Sequence, residues 1–278
     1  MKVAAIQMVS GGSVDDNLRQ AAQLLIEAAR QGARMAVLPE NFAVFDSTQL
    51  SDVGSNERSP EGPIRRFLAE QARTLEIYIV AGSLPCGARP DNTELRHRTR
   101  ASCFAYSPQG CEIGRYDKIH LFDVLVGDAH GQYQESAVIE PGECLSTIVV
   151  DDQTVGLSIC YDLRFPAMYT RLALAGASVI CVPAAFTYHT GEAHWETLLR
   201  ARAIENQVYV IAPNQGGEHA ATRRTWGHTM IIDPWGRVMG CLEEGAGVLV
   251  VDLDLSQPSR LRQKMPVMAH RRDVDALQ

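Results

Sequence analysis

The chain has 278 residues, a length within reach of one α/β domain and enough to bury about three quarters of its unfolded surface, so its core needs no disulfide or metal staple. Hydrophobic residues are 46% and charged residues 21%, which excludes a disordered chain. The net charge of −7, with no basic block, excludes nucleic acid and anionic membrane as partners.

The first twelve residues, MKVAAIQMVSGG, read as a strand: Gln7 interrupts the apolar stretch and no cleavage pattern follows, against a signal peptide. A helix is predicted over 15–31, with Leu18, Ala21, Ala22 and Leu25 on one face and Gly32 as its stop. AVLP (36–39) forms a second strand, and a second helix over 63–75 starts at Pro63 and carries Ile64, Phe67, Leu68 and Leu75. IYIVAG (77–82) is a third strand, followed by a hairpin turning at SPQG (107–110). Residues 119–152 have few periodic apolar positions and read as a loop-rich connection. The order then restarts: VGLSIC (155–160), a helix opened by Pro166, a strand in GASVICVP, a helix striped by Trp195, Leu198, Leu199 and Ala203, the strand VYVIAP (208–213) and a turn at DPWG (233–236). Residues 255–278 continue beyond this pattern, with HRR at 270–272; such a tail packs on a second copy or folds back. No apolar run approaches the roughly 18 residues that span a bilayer.

The restart is an internal duplication. GARMAVLPENF (32–42) aligns with GASVICVPAAF (176–186), IYIVAG with VYVIAP, SPQG with DPWG, and VAAIQM (3–8) with VGLSIC. Each half, about 1–118 and 153–250, reads as strand, helix, strand, helix, strand, hairpin. Strand–helix alternation puts helices over the sheet through right-handed crossovers. Two such halves, each with helices on one face, bury their other faces together. The predicted fold class is therefore α/β, a single 1–278 domain built as a four-layer α-β-β-α sandwich with pseudo-twofold symmetry. A single doubly wound sheet is the alternative, and the duplicated hairpins argue against it.

Seven cysteines, at 86, 103, 111, 144, 160, 181 and 241, are odd in number, irregularly spaced and without a C-x-x-C pair. Neither a disulfide framework nor a zinc site fits, and no cofactor or metal is expected. A reducing cytoplasm is the implied setting. Ligands in layered α/β folds collect at the carboxyl ends of strands, and three reactive residue types fall there. Glu40 follows AVLP, Lys118 follows the first hairpin in GRYDKIHLF, and Cys160 ends VGLSIC. Their duplicates carry no chemistry: Glu40 aligns with Ala184 and Cys160 with Met8. A thiolate before the helix opened by Pro166 is stabilised by the helix N-terminus, which makes Cys160 the expected reactive thiol of the seven. The bland alternatives are a core thiol, a capping carboxylate and a surface pair of Lys118 with Asp117. A papain-like cysteine–histidine enzyme is disfavoured, because that signature lies near a mature N-terminus.

LPENF (38–42), YDKIHLFD (116–123) and SICYDLRFP (158–166) together resemble the three signature segments of the nitrilase superfamily of carbon–nitrogen hydrolases, and the resemblance spans nearly the whole chain. It implies the duplicated sandwich, an amidase acting through a thioester, Glu40 as general base, Lys118 as electrophilic partner and Cys160 as nucleophile. Glu135, in QES, matches a second glutamate beside the lysine, and the backbone N–H of Tyr161 joins Lys118 in stabilising the oxyanion.

Within the superfamily, the segments at 186–207, 226–236 and 265–277 resemble the branch of deaminated glutathione amidases, which is close to the ω-amidases acting on α-ketoglutaramate. That implies a small anionic 2-oxo amide as substrate. Arg164 is a candidate for its carboxylate, against the alternative that it pairs with Asp162. Phe186, Thr187 and Thr190 are expected to line the pocket, His194 is a pocket or packing residue, and 6% aromatics argue against a broad aromatic pocket. An N-carbamoyl-amine hydrolase or a true nitrilase uses the same three residues, and a catalytically silent scaffold is the reading from another class. The tail and the sandwich faces point to a homodimer.

Overall fold

A computed structural model of the chain describes residues 1–127, 131–220 and 223–272. The first half contains β1 (Lys2–Gln7), α1 (Val14–Arg30), β2 (Met35–Val37), α2 (Leu50–Asn56), α3 (Pro63–Leu75), β3 (Tyr78–Val80), β4 (Leu84–Cys86), β5 (Arg100–Tyr106) and β6 (Glu112–Asp117). A small hairpin, β7 (Asp123–Leu125) and β8 (Gln132–Gln134), precedes β9 (Ser146–Val150). Then come β10 (Gln153–Leu157), α4 (Pro166–Leu174), β11 (Val179–Cys181), α5 (Tyr188–Asn206) and β12 (Tyr209–Ala212). The hairpin β13 (Glu218–Ala220) and β14 (Arg223–Arg224) is followed by β15 (Met230–Ile232), β16 (Val238–Cys241), β17 (Gly247–Asp252), α6 (Gln257–Lys264) and α7 (Val267–His270).

Two sheets carry the same plan. In one the strands run β17-β1-β2-β3-β5-β6, with β4 also on β5; in the other they run β9-β10-β11-β12-β15-β16. In each, three parallel strands are flanked by antiparallel ones. Val3, Met35 and Tyr78 share a row, as do Val155, Val179 and Tyr209. These are the pairs aligned in the sequence repeat. Even the irregularity recurs, since both hairpins shift register one step before the turn, at Ala105/Tyr106 and Ile231/Ile232.

Pleating explains the layers. Val3 and Ala5 pack with Val150 and Leu157 of the facing sheet, whereas Ala4 and Ile6 pack with Ala21, Leu25 and Ala28 of α1 and Leu68 of α3. The α-β-β-α sandwich follows, with α4 and α5 on the far face. Helix α1 starts where Ser13 accepts from the Asp16 N–H, and α3 starts at Pro63 under a remote cap, Glu57 accepting from the Ile64 and Arg65 N–H groups. Arg65, on the polar face in sequence terms, is buried against the Phe104 ring and paired with Glu112.

Two sequence expectations are corrected. Residues 119–152 are not all loop: β9 closes the second sheet, its Ile148 and Val150 buried, and five residues of alternation were too short to register. β17, grouped with the second half by sequence, pairs with β1 and closes the first sheet. The described part of the tail folds back on its own chain: Arg262 donates to the carbonyls of Ala177 and Asn206, and Gln207 to that of Met265. The rest of the tail, and the end of the 265–277 segment, lie outside the described residues. Among the described residues no helix is long and apolar enough to cross a membrane.

Candidate active site

The carboxyl ends of β2, β6 and β10 deliver Glu40, Lys118 and Cys160 to the floor of one cavity of about 240 Å³. Each is held by backbone devices that the sequence encodes locally. The loop carrying Glu40 is pinned from its own half by Ser10, which donates to the Phe42 carbonyl, and by Asn17 of α1, which donates to the Ala43 carbonyl. From the other half, Gln215 donates to the Glu40 carbonyl at 3.0 Å. Gly82, with φ +58°, passes so close beneath this loop that a Cβ would sit 1.9 Å from the Pro39 carbonyl oxygen; only glycine fits.

Lys118 is 2% exposed, and its Nζ lies 2.7 Å from Glu40 Oε1 and 2.9 Å from both oxygens of Glu135. Glu135 is fixed in turn by the Phe122 N–H at 2.7 Å. Asp117 is not the lysine's partner: it pairs with Arg115 at 2.8 Å and Ser102 at 2.6 Å. Burial alone would push Lys118 down, but the charges of Glu135, Glu40 and Cys160 outweigh it and hold the ammonium well above its usual pKa. For Glu135 burial prevails over the lysine, and its carboxyl is raised.

Cys160 takes a left-handed backbone, φ +47°, at the start of a short 3-10 turn, Cys160–Arg164. Its N–H donates to the Pro183 carbonyl at 2.8 Å. Asp162 locks this turn to the strand bearing Lys118: Oδ2 accepts from the Tyr116 hydroxyl at 2.7 Å and the Ile159 N–H at 2.9 Å, while Oδ1 accepts from the His120 N–H and faces His120 Nδ1 at 2.7 Å. The Tyr161 N–H lies in the first turn, where helical N–H groups have no intrahelical acceptor.

The thiolate expected at a helix N-terminus is corrected. α4 begins six residues later, at Pro166. Burial and the Glu40 charge push the Cys160 thiol well above its ordinary pKa, and Lys118 and the Ala185 N–H do not offset them. The arrangement therefore stores a neutral thiol beside a carboxylate able to take its proton when an electrophile arrives. Because Cys111, Cys144 and Cys241 are exposed while Cys160 is 8% exposed, iodoacetamide at pH 8 should label those three first without loss of activity. Inactivation should track the slower labelling of Cys160. Peptide mapping with parallel assays checks this, and Cys160 reacting fastest from pH 6 to 9 would mean a resting thiolate.

Tyr161, Phe186, Thr187 and Thr190 line the cavity. The threonines also cap α5, where Thr190 N–H reaches the Thr187 hydroxyl and the two hydroxyls lie 2.8 Å apart. Arg164 and His194 are not among the lining residues. Arg164 lies against the Tyr161 and Phe186 rings and 3.3 Å from His194 Nδ1, and Asp162, its other expected partner, is occupied elsewhere. The sequence also missed most of the wall: Phe45, Phe122 and Tyr133 join Tyr161 and Phe186, so five of the chain's few aromatics surround this cavity. Phe122 stands 5.1 Å from both Tyr133 and Tyr161. Arg223 completes the lining. Phe45 and Phe122 come from irregular loops, and Tyr133 and Arg223 from β8 and β14, strands of three and two residues, where no periodicity marks an inward face; the one available signal was aromatic and arginine residues clustered in segments outside the repeat.

A carbon–nitrogen hydrolase family profile matches residues 2–263. A deaminated glutathione amidase of Yersinia enterocolitica is 42% identical over 99% of this chain and 94% of its own length. An omega-amidase of Mus musculus is 36% identical over 98% of this chain and 95% of its own length. The crystal structure of the Caenorhabditis elegans NitFhit protein superposes with a TM-score of 0.87 at 33% identity, covering 98% of this chain; the chain spans 65% of that longer protein.

Proposed function

The chain belongs to the carbon–nitrogen hydrolase family, and from that premise we propose that it hydrolyses a small anionic 2-oxo amide through a Cys160 thioester. The observation that carries the reading is the buried contact of Lys118 with Glu40 and Glu135 on the floor of the cavity that holds Cys160. Glu40 takes the thiol proton as Sγ attacks the amide carbonyl. The oxyanion forms facing the Lys118 ammonium and the Tyr161 N–H, donors worth about 3–4 kcal/mol each. The C–N bond breaks and Glu40 returns its proton to the leaving amine. A water then gives a proton to Glu40 as it attacks the thioester carbonyl; the C–S bond breaks, releasing the acid, and Glu40 passes that proton to the thiolate, restoring the thiol and the carboxylate. Glu135 holds Lys118 in place throughout.

The named activities of the relatives, a deaminated glutathione amidase and an omega-amidase, support deaminated glutathione first and α-ketoglutaramate second. We expect kcat/KM for both to exceed that for glutamine, an N-carbamoyl amine and an aliphatic nitrile by about tenfold to a hundredfold, the cost of leaving a site's charged group unpaired. A carbamoyl amine or nitrile turned over fastest would overturn the substrate class and leave the cysteine chemistry standing. The enzyme is further read as a cytoplasmic homodimer. The unpaired cysteines and the exposed apolar Ile204 and Trp235 support this, and sedimentation equilibrium tests the oligomer.

A further inference from the structure

The floor of the cavity does not by itself attract an anion. Its formal charges are Glu40 and Glu135 against Lys118, and Asp46 adds a third carboxylate to the lining. Asp46 is itself spent on Thr48 and Gln49. An anionic substrate therefore needs a cation aimed at it. Lys118, gripped by two carboxylates, is not available for that.

Among the described residues, Arg223 is the other cation of the lining. It is half-buried, with its guanidinium 4.5 Å from the Phe45 ring centroid and 5.5 Å from that of Tyr133. Among the described residues, no carboxylate pairs with it. Its neighbour Arg224 shows the contrast: that side chain lies over Tyr188 and pairs with Glu244 at 2.6 Å. The Phe45 ring is steadied by His219, stacked at 3.9 Å and fastened by the Ser10 carbonyl and the Thr225 hydroxyl, both at 2.7 Å. Burial lowers the pKa of His219 to about 4, so near neutrality it adds no charge that would compete for an anion. The rings fix the plane of the guanidinium and leave its fork of N–H donors for a planar bidentate acceptor.

We propose that Arg223 is the specificity-determining residue of the site, holding a carboxylate of the substrate that Arg164 does not reach. The ring series Tyr133, Phe122, Tyr161 then forms the wall between that anchor and Cys160. This inference rests on the amidase reading, so the test separates the two.

The probes are α-ketoglutaramate, whose carboxylate lies on the acyl half, deaminated glutathione, which has a second one on the leaving half, and the uncharged methyl ester of α-ketoglutaramate. Arg223→Gln should lower kcat/KM for an anionic substrate by about tenfold to a hundredfold, mainly through KM, while leaving the ester within twofold. Arg223→Lys should recover part of the loss. A loss confined to deaminated glutathione supports the anchor and puts its carboxylate on the leaving half. An equal loss for charged and neutral amides, or none for either, overturns it. Calorimetric binding of 2-oxoglutarate, the shared acid product, gives a readout independent of turnover: the wild type should bind it and Arg223→Gln should bind it at least tenfold more weakly. Wild-type protein that hydrolyses no amide yet binds 2-oxoglutarate through Arg223 would remove the amidase reading and keep the anchor; equal binding by both proteins, together with no selective loss on deaminated glutathione, removes the anchor.

Discussion

Glu40→Gln should reduce kcat by about 10³–10⁴-fold, the upper part of the range for general acid–base catalysis, with the fold intact. The same carboxylate acts on the thiol, the leaving amine and the attacking water, so its loss affects acylation and deacylation alike. Gln retains an acceptor for Lys118, and Glu135 still neutralises the ammonium; the melting temperature should move by a few degrees at most. Because the Glu40 charge acts with burial to hold the thiol well above its ordinary pKa, the variant's Cys160 should be alkylated at least as fast as that of the wild type even as turnover falls. A variant that keeps a third of the wild-type rate would remove Glu40 as base. Glu135 would then be the remaining candidate, since His194 does not line the cavity.

Lys118→Met should abolish activity and also destabilise the protein. The ammonium is buried between two carboxylates, and removing one partner of a buried ion pair costs about 3–5 kcal/mol, because the other charge stays uncompensated. For a chain of this size that is a fall of about 10 °C in Tm. The sign with pH follows from the raised lysine pKa. Its stabilising contribution is complete below the ordinary value of 10.5 and is lost as pH rises through the higher folded value. The variant should therefore lack this alkaline loss of stability. Adding Glu135→Gln to Lys118→Met should restore part of the Tm and none of the activity, separating electrostatic relief from catalysis. Full stability in the single variant would mean that protons, not the lysine, balance the carboxylates.

The duplication shows how much chemistry a scaffold position requires. Ala184 occupies the place of Glu40 and Met8 that of Cys160, at ends of strands with the same register. Both duplicates are fully buried and apolar. The fold thus accepts an inert residue at either point, so the scaffold requires neither the carboxylate nor the thiol.

What could be read from the chain was what repeats or is periodic. The 3.6-residue stripes of α1 and α3, the stop at Gly32 and the start at Pro63, and the ordered matches between halves set the sandwich, and with it the three strand ends that carry Glu40, Lys118 and Cys160. Short strands escaped, as β9 did, because five residues of alternation do not stand out from loop sequence. The exchange of β17 into the first sheet was also hidden, because strand pairing depends on partners distant in the chain. The state of the thiol was decided by burial and by Glu40, which is 120 positions away in sequence; local position before a helix gave the opposite sign. The aromatic wall and Arg223 lie on loops and on the minimal strands β8 and β14, whose inward faces exist only once both halves are packed. Backbone pattern thus determined where chemistry could occur, and the tertiary packing of side chains decided its charge state and what the cavity accepts.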